Sequence, residues 1–160
     1  MSLLDNVFGR KKPPAPPVTY RSPGGLYSVT HPGDWRVEEE GNIVNIRPPD
    51  GVGEVTISAF HGLPPEADFA RKLLADTFKD DEALGEAHEI AKNGWTGLRQ
   101  GFVSAAPDVR AWIAIVATLP PVFVLITANA PPQQFKERGD EYGRITESLR
   151  LRVPKAPGGP

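Results

Sequence analysis

The chain has no cysteine. That absence removes disulfides, thiolate metal sites and cysteine nucleophiles together, and it fits either side of a bacterial membrane. An excess of one charge sign is missing too. Eighteen basic residues face 20 acidic ones, leaving a formal net charge of −2. No basic field recommends nucleic acid, so no nucleic-acid partner is expected, and no acidic block suggests a cation buffer. Long apolar runs are absent. The longest are interrupted by Pro120-Pro121 and are too short to span a bilayer. The first residues, MSLLDNVFGRKK, lack the apolar core of a signal peptide, and their basic residues follow the apolar ones. The resulting expectation is a cytoplasmic protein.

Catalytic patterns are scarce as well. His31, His61 and His88 are the only histidines, and none has a second ligand type at metal spacing. No serine stands in G-x-S-x-G, and Ser58 and Ser104 read as solvent-facing strand positions. GVGEV (51–55) has two glycines but neither a following helix nor a lysine, so it reads as a turn into a strand. Asp80-Asp81-Glu82 lacks the spaced oxygen ligands and glycine of a calcium loop and reads as solvated loop. These residues predict a non-enzyme with no metal and no cofactor.

What is present is a dense series of strand signals between two proline-rich ends. RKKPPAPP (10–17) and PKAPGGP (154–160) make no core, because proline removes donors and the charges resist burial. The expected organisation is a flexible N-terminal segment (1–17), one folded domain (18–153) and a flexible tail (154–160). Strands are expected at 26–30, 35–38, 42–47, 54–60, 86–92, 95–104, 109–118 and 122–130. EVTISAF (54–60) alternates cleanly, with Val55, Ile57 and Ala59 on one side. Asn93-Gly94 is a strong hairpin signal. The strands at 109–118 and 122–130 are apolar on both parities, which predicts central strands covered on both faces.

One helix is expected to open after Pro64-Pro65 and run to about Lys79, with Phe69, Ala70, Leu73, Leu74, Thr77 and Phe78 in one stripe. A second starts at Pro131-Pro132, where proline suits the first turn. It places Phe135, Tyr142, Ile145 and Leu149 along one side. Gly139 and Gly143 weaken that helix, and close approach of its backbone to the sheet is the expected return. Short connections make antiparallel neighbours, so the fold class is α+β: an antiparallel sheet of about six or seven strands sandwiched by helices. Within LYSVTHPGDW (26–35), Pro32-Gly33-Asp34 is turn chemistry, and Trp35 offers apolar area to the core.

Several stretches together resemble the PsbP/Mog-like superfamily, named for an extrinsic photosystem II subunit and a small Ran-binding protein. They are GLYSVTHPGDWRVEE (25–39), NIVNIRPPDG and EVTISAF, the Phe69 helix, NGWTGLRQGF, and the closing ITESLRL (145–151). The resemblance covers about residues 19–152, and many bacterial members have no assigned role. It implies an antiparallel sheet between helices. It transfers no catalytic role, because members differ widely in function.

One stretch is biased toward an interaction. Leu3, Leu4, Val7 and Phe8 fall at helical spacing and precede Arg10, Lys11 and Lys12. An apolar stripe beside cations suits an anionic membrane surface, weakly held, or a groove on a partner. The sequence thus predicts a non-catalytic protein- or peptide-binding adaptor module. The alternative is a small-ligand-binding or enzyme-accessory domain with a polar pocket at the strand ends, lined by Arg99, Arg110 or histidine.

Overall fold

A computed structural model describes residues 15–62, 68–105 and 107–154. Its elements in chain order are β1 (Pro17–Arg21), β2 (Tyr27–Pro32), β3 (Arg36–Glu40), β4 (Ile43–Arg47), β5 (Glu54–His61), α1 (Phe69–Thr77), β6 (Glu82–Lys92), β7 (Trp95–Val103), β8 (Ala111–Leu119), β9 (Val122–Ala130), α2 (Pro132–Glu147) and β10 (Arg150–Leu151). Seven strands form one antiparallel sheet in the order β3-β4-β5-β9-β8-β7-β6, and three form a small one, β1-β2-β10. The α+β class therefore holds.

The two strands that are apolar on both parities, β8 and β9, lie inside the large sheet, as their composition requires. One face, built from Val44, Ile46, Val55, Ile57, Ile115, Val124 and Ile126, packs under Tyr142, Ile145 and Leu149 of the α2 region. Tyr27 and Val29 of the small sheet join the same core. The other face buries Leu98, Phe102, Ala114 and Val116 against Leu74 and Phe78 at α1. Phe78 stacks on Phe102 with centroids 4.1 Å apart and meets Trp112 edge-on at 5.5 Å. The cover is thus helix plus small sheet on one side and a single short helix on the other.

The β6–β7 connection is the expected tight turn, with Asn93 at φ 50° and Gly94 at φ 86°. It also does a second job. The Asn93 amide donates to the carbonyls of Glu147 (3.1 Å) and Leu149 (2.9 Å), and the Trp95 indole donates to Leu149 at 2.8 Å. These donors satisfy carbonyls that the end of α2 would otherwise leave unpaired.

Four features depart from the sequence reading. The second sheet was not foreseen: β1 and β10 are short, and two residues carry no periodicity. β1 reaches back to Pro17, and the Gly33 N–H donates to the Pro16 carbonyl at 3.0 Å, so the chain is already paired before residue 18. β6 begins at Glu82, inside the acidic run; it is an exposed edge strand, and no buried face marks its start.

The fourth departure concerns α2. A Cβ built on Gly139 or Gly143 meets nothing within 4 Å, so neither glycine allows a close helix–sheet approach. Both simply cost helix stability. Gly139→Ala and Gly143→Ala should each raise stability by about 0.5–1 kcal/mol, read as an increased urea midpoint. A lowered midpoint would show a constraint that the open space around them does not contain.

A polar trough on the open sheet face

With nine residues, α1 covers the β7–β8 half of its face and reaches β9 through Phe69, edge-on to Phe123 at 5.4 Å. On the same face, β3, β4, β5 and the end of β9 carry polar side chains instead. The register sets them in rows: Arg36 opposite Arg47, Glu54 opposite Asn129, and Asn129 opposite Trp112. At about 4.8 Å between strands, such a row crosses roughly 20 Å of sheet. Together with Glu38, Asp108 and Arg110 these residues line an open trough of about 630 Å³ at the strand ends.

Its charges are already matched. Arg47 donates from Nε to Glu54 at 2.8 Å and from a terminal nitrogen to Glu38 at 2.9 Å. Those two contacts raise the Arg47 pKa further. Arg110 donates from Nε to Asp108 at 3.1 Å and from a terminal nitrogen to Asn129 Oδ1 at 2.9 Å. Arg36 lies 3.9 Å from Glu38 at the rim. Three guanidinium groups thus balance three carboxylates. In the next row the Thr56 hydroxyl donates to Asn45 at 2.8 Å. Exposed Ile43 and Phe60 mark the apolar end of the face.

The turn that closes the trough is held from behind. Arg138 of α2 donates to the Val52 carbonyl at 2.6 Å and to the Asp50 carboxylate. That hydrogen bond from Arg138 holds the Asp50 carboxyl below the ordinary carboxylate range. Gly51 and Gly53 take φ values of 71° and 82°, which only glycine adopts without strain. GVGEV is accordingly a turn into a strand.

A second, more apolar groove of about 960 Å³ runs between the β2–β3 turn, Pro48-Pro49 and α2. His31 lines it, buried at 5% exposure, with Nδ1 2.7 Å from the Pro32 carbonyl oxygen. The Trp35 N–H donates to the Pro32 carbonyl at 3.0 Å, closing the turn that Pro32-Gly33-Asp34 predicts. Trp35 is buried edge-on against Tyr142, with centroids 6.0 Å apart.

Of the residues singled out from sequence, Arg110 lies in the trough. Arg99 does not: paired opposite Ile115, it belongs to the sheet face under α2. None of the three histidines lines the trough. Leu3, Leu4, Val7, Phe8, Arg10, Lys11 and Lys12 lie outside the described residues. Sequence reasoning missed Glu54, Asn129 and Trp112. The available signal was parity: Thr127 and Asn129 are the polar residues of an otherwise apolar strand, and both point to the face shared with Glu54 and Thr56.

No protein-family profile and no curated protein matches the sequence. Solved structures do match the fold. PsbP from the cyanobacterium Synechocystis sp. PCC 6803 superposes with a TM-score of 0.67 at 13% identity, over 86% of this chain and 94% of that one. LpqN, described as involved in cell envelope biogenesis of Mycobacterium tuberculosis, gives 0.61 at 15% identity, over 88% and 87%. A Bacteroides thetaiotaomicron VPI-5482 protein gives 0.63 at 18% identity; the chain covers 86% of itself but only 49% of that protein's length. The architecture is therefore that of a PsbP-like α+β domain, in agreement with the resemblance read from the sequence. At these identities the likeness extends to the fold alone.

Proposed function

We propose that this chain is a non-catalytic binding module whose protein or peptide partner docks on the uncovered half of the large sheet. One observation carries this: among the described residues, no helix or strand covers the β3–β4–β5 side of that face, although it ends in exposed Ile43 and Phe60 and a charge-matched trough. Matched pairs suit recognition better than proton transfer, because each carboxylate already has a guanidinium as hydrogen-bond partner or close neighbour. The fold neighbours support an accessory role, one being a PsbP and another described by a cell-envelope process.

The test is capture by the immobilised full chain, comparing wild type with an Ile43→Asp, Phe60→Asp double variant of unchanged melting temperature. A partner retained by wild type, lost by the variant, and bound again when purified supports the reading. Identical captured sets, or a purified partner mapping to another surface, would overturn it. The small-ligand alternative draws its support from Arg110 in the trough, whose size falls within the usual range of ligand sites.

The N-terminal segment supplies a second proposed contact, with anionic membrane. Burying Leu3, Leu4, Val7 and Phe8 contributes roughly 1.5–3 kcal/mol each. Ordering the segment offsets much of that, at roughly 1–2 kcal/mol per residue. Arg10, Lys11 and Lys12 add about 1 kcal/mol each near an anionic surface. The expected result is weak sedimentation with anionic liposomes, reduced by salt and abolished by Leu4→Asp, Phe8→Asp. If the wild-type chain stays in the supernatant at low salt, the membrane contact does not exist. No helix among the described residues is long and apolar enough to cross a membrane.

A further inference from the structure

At the β8–β9 end of the trough the hydrogen-bond inventory is lopsided. Asn129 is only 3% exposed, and its Oδ1 accepts from Arg110. Arginine can only donate, so the amide orientation is settled: Oδ1 faces the guanidinium and Nδ2 is left with two donor hydrogens. No described residue accepts from that nitrogen. Directly opposite across the ladder, the Trp112 indole N–H is also without an acceptor. Arg110 spends its Nε and one terminal nitrogen and keeps further N–H groups at the trough. The buried Trp112 N–H left unpaired is costly, and with the spare N–H groups of Asn129 and Arg110, which line the same trough, it marks a place for an acceptor.

We propose that the Asn129–Trp112–Arg110 corner binds a carboxylate group, the chemistry by which a docking partner is recognised. The proposal rests on the docking reading above and deepens it. A carboxylate supplies acceptor lone pairs without a competing donor, and Arg110 contributes a charge-assisted bond. The opposing charges are Glu54, Asp108 and Glu38, the last engaged by Arg47 at 2.9 Å. Glu54 is engaged by Arg47 at 2.8 Å, and Asp108, whose side chain is 75% exposed, sits at the rim where it can swing into solvent. A phosphate fits less well: Arg47 is held by two carboxylates, Arg36 stands at the exposed rim 3.9 Å from Glu38, and a second negative charge would lie beside Glu54.

The test uses the ¹⁵N-labelled full chain titrated with sodium propionate, with sodium chloride at matched ionic strength and propionamide as the neutral isostere. The Trp112 indole signal, told from those of Trp35 and Trp95 by its loss in Trp112→Phe, and the Asn129 side-chain amide should shift together and saturate. Propionate should bind about tenfold more tightly than propionamide, the difference one charge-assisted hydrogen bond makes. Asn129→Asp exchanges the donor for an acceptor while keeping a partner for Arg110, so it should abolish the shift in a chain whose spectrum remains folded. Peptides bearing the carboxylate at the C-terminus or on a glutamate side chain then separate the two sources.

Shifts of equal size with chloride, equal affinity for propionamide, or binding that survives Asn129→Asp would each overturn the assignment. That failure differs from failure of the docking reading, which the Ile43 and Phe60 variant tests separately.

Discussion

Gly53→Ala is expected to destabilise the protein by about 2–5 kcal/mol, the sum of an unfavourable φ and an overpacked contact. Gly53 stands at φ 82°. A Cβ there would collide with the Tyr142 hydroxyl and come within 2.7 Å of the Asn129 carbonyl oxygen and 2.8 Å of the Ala130 Cβ. None of these can yield cheaply. Tyr142 is buried in the core, where burial pushes its phenol pKa up, and the other two atoms belong to an internal strand. Gly41→Ala is the control. Its φ of 62° is similar, but nothing lies within 4 Å, so only about 1 kcal/mol of strain is expected. Urea unfolding of both variants checks the argument. Equal losses would show that crowding at Gly53 contributes nothing.

Trp95→Ala should cost about 3–5 kcal/mol. Trp95 is among the largest fully buried side chains, at 1% exposure, and its indole N–H satisfies the Leu149 carbonyl. Truncation opens a cavity and removes a buried hydrogen bond at the same place. Trp95→Phe divides the two effects. It keeps most of the volume and removes the donor, while the Asn93 amide still reaches the same carbonyl, so about 1–2 kcal/mol is expected. An alanine variant within about 1 kcal/mol of wild type would mean that the hairpin does not anchor the end of α2.

How much of this was legible in the sequence depends on whether burial leaves a mark. The both-face apolarity of β8 and β9, the Val55–Ile57–Ala59 alternation and Asn93-Gly94 each follow from local chemistry, and each reads correctly. β10 does not, because a strand of two residues exists only through its pairing with Tyr27 and Ser28. The trough was half visible. Arg110 could be picked out as a cation near a strand start, but its partner Asn129 is a neighbour only through the β8–β9 register, and Glu54 only through β5–β9. Gly139 and Gly143 mislead for a complementary reason. A glycine in an amphipathic stripe looks like a contact point, yet whether anything approaches it is settled by helix placement, which no local pattern encodes.

The small sheet also has a mechanical meaning. β1 and β10 both run antiparallel to β2 and flank it, with Pro17 opposite Pro32 and Leu151 opposite Tyr27. A pull applied through the two ends of the chain therefore draws β1 and β10 along β2 in opposite directions. The ladder bonds are loaded side by side in shear and cannot open one at a time like a zipper. Of the two seams β10 is the shorter, backed by the Arg152 N–H donating to Leu26 at 2.7 Å, so tension should part the molecule first on the C-terminal side. A partner tethered through the N-terminal segment would then pull on β1, the longer and stronger of the two seams.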